Sequence, residues 1–211
     1  MSGDTLYEMY ERLFHHYGPQ HWWPAETPFE IMVGAILTQN TNWRNVEKAL
    51  DALKGAGVLD LGKLVDLPVD LLAAYIRPAG YYNIKAGRLM NLCRTVASFG
   101  TVDAFLDRPL EELRKSLLGV KGVGPETADT ICLYAAGLPV FVVDTYTCRV
   151  LFRHQLIDGA VDYQTVQDFF MDSLPQDAEV FNEYHALLVQ VGKDFCRKRT
   201  PDCDNCPLKG V

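Results

Sequence analysis

LGVKGVGPETADTICLYAAGLPVFVVDTYTCR, running from Leu118 to Arg149, decides how this chain of 211 residues is read. Gly122-Val123-Gly124 frames a tight hairpin, and Pro125 opens a helical pattern directly behind it. The glycines let the backbone turn sharply with its N–H groups exposed. The following helix brings its positive N-terminal end to the same place. Asp144 follows twenty residues after Gly124, behind the apolar run Val140-Phe141-Val142-Val143. A phosphate clamp with a lone acid nearby points to chemistry on a nucleic acid.

Outward from this stretch the chain reads as almost all helix. Leu6, Met9, Tyr10, Leu13, Phe14 and Tyr17 follow helical spacing, and Gly18-Pro19 ends that helix. Further helices are predicted over Phe29 to Leu37, Val46 to Leu53 and Ala86 to Phe99, and then from Pro109 and from Pro125. Asp144 to Phe152, Tyr163 to Leu174 and Glu179 to Val191 complete the set. Val140 to Val143 has the composition of a strand, but no partner run accompanies it. The length supports one large or two small domains.

No apolar run is long enough to span a bilayer, and the N-terminus lacks the blocks of a signal peptide. A cytoplasmic monomer with no membrane partner is expected. The net charge of −7 argues mildly against a polyanionic partner. Charge is local, however, and basic residues group at Arg77/Lys85/Arg88 and at Lys193/Arg197/Lys198/Arg199. Lys85 and Arg88 read as solvated or structural rather than catalytic. Weak, strongly salt-sensitive binding of nucleic acid is therefore the expectation.

Of the six cysteines, Cys93, Cys132 and Cys148 lie singly in apolar helical surroundings and read as small core residues. The other three form a C-x6-C-x2-C cluster: Cys196, Cys203 and Cys206. Three thiolates at this spacing suit an iron–sulfur cluster or a zinc ion, and suit a disulfide less well in a reducing compartment.

Hairpin, VVDTYTCR and terminal cysteines, in this order, closely resemble the helix-hairpin-helix (HhH-GPD) DNA glycosylases of the endonuclease III superfamily, over nearly the whole chain. The resemblance implies an all-α, two-lobed fold. Residues 23–134 would form a six-helix barrel lobe with the hairpin motif at 118–135. Residues 1–22 and 135–195 would form the second helical lobe, and 196–211 an iron–sulfur loop. It implies double-stranded DNA with a damaged base as partner. The hairpin residues Gly122, Val123 and Gly124 would grip the DNA backbone. Asp144 would be the catalytic acid, while it is equally placed to cap its helix. Cys196, Cys203 and Cys206 would hold a 4Fe-4S cluster. The family's fourth cysteine falls at position 212, past Val211, so the ligand set within residues 1–211 is incomplete and loss of the cluster is the alternative expectation. Arg197, Lys198 and Arg199, inside the first loop of the motif, would meet DNA phosphates or form a solvated basic turn.

Within the superfamily, bifunctional members carry a lysine two residues past the hairpin, and its amine attacks the sugar. Glu126 stands there and cannot form a Schiff base. The phrase KGVGPETAD resembles the 3-methyladenine DNA glycosylase III branch, as do Trp22-Trp23-Pro24, LTQNT at 37–41 and RPAGYYNIKAGRL at 77–89. That branch's best-known members lack the cluster cysteines. The resemblance implies a base pocket containing Trp22, Trp23 and Trp43, whose electron-rich rings would stack on a cationic alkylated purine. Gln39 and Asn40 are expected either to fill the gap left by a flipped base or to serve as turn residues. Glu126 is expected either to orient water or the flipped base, or to cap its helix. The leading expectation is a monofunctional glycosylase for alkylated purines. An endonuclease III-type glycosylase and lyase for oxidised pyrimidines, and a non-catalytic DNA-binding module, are the alternatives.

Overall fold

The helical periodicity is realised along most of the chain in the computed structural model, which describes residues 3–211. The chain divides into two compact units, Met1–Pro24 with Pro139–Val211, and Ala25–Leu138. Helix α1 (Gly3–Tyr17) opens the first unit. The second unit is built from α2 (Pro28–Thr38), α3 (Trp43–Gly55), α4 (Leu61–Asp66), α5 (Val69–Tyr75), α6 (Tyr82–Ala97), α7 (Val102–Leu106), α8 (Leu110–Leu118) and α9 (Pro125–Thr130). A π-helical turn, Ile131–Ala135, continues α9. The chain then supplies α10 (Thr145–Arg153), α11 (Tyr163–Ser173) and α12 (Ala178–Asp194) to the first unit. No strand occurs among the described residues. None of their helices is long and apolar enough to cross a membrane.

In the unit 25–138, α2 is the central helix. Thr27 caps it by accepting from the Glu30 N–H, Pro28 sits at its first turn, and Phe29, Glu30 and Met32 to Leu37 are buried. Helix α2 packs on α3, α6, α9 and the π turn. Its C-terminal carbonyls need partners. Lys85 of α6 supplies one: it is 1 % exposed, and its ammonium donates to Leu37 O and Ala79 O, both at 2.8 Å. Burial first, and the Arg88 charge second, push its pKa down to about 8. The structural reading of Lys85 thus holds, but in the core rather than in solvent.

In the other unit, α12 packs on α1 and α10, and α1 also meets α11. Phe141 stacks on Phe170 with centroids 3.7 Å apart, and Phe181 and Tyr184 meet Phe141 edge-on. The strand-like run Val140 to Val143 is buried but forms no strand. Side chains of α11 serve its backbone instead. Gln167 Nε2 donates to Phe141 O (2.6 Å), Met171 Sδ accepts from Phe141 N, and Tyr163 Oη accepts from Val143 N. Cys93 and Cys132 are buried, as their apolar surroundings predict. Burial pushes both thiols up to about 12, so they are inert at neutral pH.

Candidate active site

The hairpin residues lie between α8 and α9. Gly122 has φ +102°, a left-handed conformation that favours glycine, and a Cβ there would overlap the Arg88 side chain. The Val123 N–H closes the turn onto Val120 O at 3.0 Å, and Gly124 precedes the first residue of α9. Val123 is buried while Gly124, Pro125 and Glu126 are exposed. A bidentate pair, half-buried Arg114 of α8 with buried Asp129 of α9 at 2.6 and 3.1 Å, fixes the two helices that the hairpin joins.

The hairpin carbonyls are tied to the rest of the unit. Asn91 Nδ2 donates to Lys121 O (3.0 Å) and Gln39 Nε2 to Gly122 O (3.1 Å). Gln39 Nε2 also donates to Thr127 Oγ1 (3.0 Å), and its Oε1 accepts from Arg88 at 2.5 Å. The Gln39 amide is engaged on both ends as a brace between the α2–α3 loop, α6 and the hairpin. Asn40 is exposed and left-handed, with φ +54°. Trp43, the first residue of α3, is half-buried behind the Asn42 cap.

Asp144 lies in the other unit. It caps α10, with Oδ1 accepting from Thr147 N at 2.7 Å. Its Oδ2 lies 3.8 Å from Nε2 of His185, on α12, and the two side chains are 13 % and 10 % exposed. Burial pushes the His185 pKa down, against the pull of the Asp144 charge. Close approach of α10 and α12 is made possible by Gly192, where a Cβ would overlap the Tyr146 ring. Sequence reasoning missed His185. Its only signal is a polar residue in the apolar helix EYHALLVQV, and the partner it meets is set by the fold.

Trp22 and Trp23 are half-buried, joined by a cis peptide bond, with ring centroids 5.2 Å apart. The segment leading to them is held by Glu183 of α12, whose Oε1 accepts from Gln20 N at 2.7 Å. Burial raises the Glu183 pKa, opposed by that hydrogen bond and by His21.

Cys196, Cys203 and Cys206 line one cavity of about 210 Å³, with Arg153 and His154 also in its wall. Cys196 Sγ accepts from Arg153 at 3.2 Å. Three soft donors on one cavity suit a thiolate-bound metal group. Among the described residues, no three such donors stand close enough together to hold an ion as they are. The 197–199 segment is exposed, and α10 anchors it. Arg153 donates to Arg197 O (2.8 Å) and Lys198 O (3.1 Å), and Arg149 donates to Cys196 O (2.7 Å).

Residues 33–176 match the family described as HhH-GPD superfamily base excision DNA repair protein. The chain is 46 % identical, over 98 % of its length and 94 % of the relative's, to Methanocaldococcus jannaschii MJ1434, whose name assigns it provisionally as a DNA repair glycosylase. It is 28 % identical to endonuclease III of Haemophilus influenzae, over 88 % of this chain and 83 % of that one. Among solved structures it is similar to the H. pylori 3-methyladenine DNA glycosylase MagIII bound to 1,N6-ethenoadenine. The TM-score is 0.79 at 30 % identity, covering 92 % of this chain and 98 % of that one. The all-helical fold agrees with this neighbour, and the chain belongs to the HhH-GPD superfamily of base excision DNA repair proteins.

Proposed function

We propose that this protein is a monofunctional DNA glycosylase that hydrolyses the N-glycosidic bond of a flipped-out alkylated purine such as 3-methyladenine. The observation that carries the monofunctional reading is Glu126. It stands exposed in the first turn of α9, so a carboxylate occupies the place where a strand-cleaving relative carries an amine. The alkylpurine part draws on the Trp22–Trp23 pair and on the similarity to the H. pylori 3-methyladenine glycosylase.

A 3-alkylated adenine carries positive charge on its ring and leaves as a neutral base, so no acid is required to protonate it. As the bond from the base to C1′ breaks, positive charge develops on the sugar. Asp144, fixed by the Thr147 N–H, is the anion that stabilises that charge and aligns a water. The water oxygen bonds to C1′ and its proton passes to Asp144 or to solvent, leaving an abasic site on an uncut strand. Trp22, Trp23 and Trp43 select the cationic base by stacking. Gly122, Val123 and Gly124 hold backbone phosphates, with Gln39 bracing their turn and Asn40 entering the space of the flipped nucleotide. Glu126 orients water or caps α9. Arg197, Lys198 and Arg199 add phosphate contacts from a loop that Arg153 steadies. Cys196, Cys203 and Cys206 would supply three of the thiolates of a 4Fe-4S cluster, which would stiffen that loop when bound.

Borohydride tests the absence of an amine nucleophile. Incubation with lesion-containing duplex and borohydride is expected to give no covalent protein–DNA adduct, and the product strand is cut only on alkaline treatment. A trapped adduct would show a Schiff base and favour the bifunctional reading instead.

A further inference from the structure

The carboxylate of Asp144 has two oxygens, and the α10 cap accounts for only one. Oδ1 accepts from Thr147 N at 2.7 Å. Oδ2 faces His185 Nε2 at 3.8 Å, at a site where both side chains are largely withdrawn from solvent. A cap bond alone lets a carboxylate pivot about the bond to Cγ. A hydrogen bond from a second polar neighbour on a different helix would remove that freedom.

His185 stands on a rigid support. The adjacent Tyr184 is fully buried, with its hydroxyl donating to Leu6 O at 2.8 Å and its ring against Phe141 and Phe170. The same Phe141 belongs to the run that delivers Asp144. Gly192 lets α12 approach Tyr146 closely on α10. Backbone and side-chain contacts thus fix both partners from both sides.

We infer, resting on the reading of Asp144 as the carboxylate that faces the sugar, that His185 is a positioning residue, whose Nε2 orients Oδ2 and keeps the carboxylate aimed at C1′. The separation is longer than a hydrogen bond, as such contacts often are before substrate binds and tightens them. Burial holds the imidazole below its ordinary pKa, so at neutral pH it is uncharged. A neutral imidazole orients Asp144 without cancelling the negative charge that the cationic sugar requires.

His185→Leu and His185→Gln separate this role from packing. Gln carries an amide nitrogen at the reach of Nε2, whereas Leu fills the space without a donor. In single-turnover base release at saturating enzyme, H185L is expected to fall by about tenfold or more. H185Q should stay within about threefold of the parent, with affinity for abasic-analogue DNA within about twofold in both. Equal rates in H185L and the parent, or equal losses in the two variants, would overturn the inference. A second readout works even if H185L does not fold or no base is released. The His185 titration, followed by its ring nitrogen shifts, is expected to move to lower pH in D144N, because the opposite charge is gone. An unmoved titration would overturn the pairing. Absence of base release from the parent protein would count against the proposed function alone.

Discussion

Asp144→Asn is expected to lower single-turnover base release by roughly 10²- to 10⁴-fold while leaving DNA binding and folding near the parent values. The substitution isolates charge from structure. Asn is as good a helix cap as Asp, so its side-chain oxygen keeps the bond from Thr147 N that closes the first turn of α10. What disappears is the negative charge next to the developing sugar cation. Asp144→Ala would add loss of the cap, about 1 kcal/mol of stability, and would blur the result. Rate constants at saturating enzyme, beside melting temperatures, distinguish the cases. If D144N releases base as fast as the parent, Asp144 is a cap and nothing more. A variant that binds DNA normally but releases base roughly 10²- to 10⁴-fold more slowly is the expected outcome.

Gly122→Ala is expected to weaken DNA binding by about tenfold or more, corresponding to ~1.4 kcal/mol. Two effects combine. A side chain at φ +102° is strained by about 1–3 kcal/mol, and its Cβ enters the space of Arg88. Arg88 then leaves Gln39, whose amide otherwise holds the Gly122 carbonyl. The hairpin loses its shape and its brace together. Fluorescence anisotropy at one fixed salt concentration measures the effect, because phosphate contacts make affinity salt-dependent. At saturating DNA the rate of base release should recover, since Asp144 lies in the other unit and keeps its cap. Unchanged affinity in G122A would remove the hairpin from the DNA-gripping surface.

Much of this was legible in the sequence because backbone chemistry marks it. The glycine-framed hairpin, the Pro-opened helix behind it and the capping Asp144 each announce their local structure. The short helices α4, α5 and α7 were not legible, since five to seven residues are too few to show a period. Val140 to Val143 has the composition of a strand, but its backbone is served by α11 side chains, which no local pattern reveals. Gln39 reads as either a gap-filling or a turn residue, and its three partners come from α6, the hairpin and α9, to which no local pattern points. His185 was invisible for the same reason. Its meaning depends on α12 lying against α10, and a lone histidine in an apolar helix gives no sign of the carboxylate it meets. Lys85 shows the opposite limit: a charged residue whose burial follows from two helix ends that need a donor.

The most direct test is mass spectrometry of the free bases released when the protein acts on duplex DNA treated with a methylating agent. The account predicts free 3-methyladenine, with strands that stay intact until alkali is added. No released alkylpurine, or strand breaks without alkali, would contradict it.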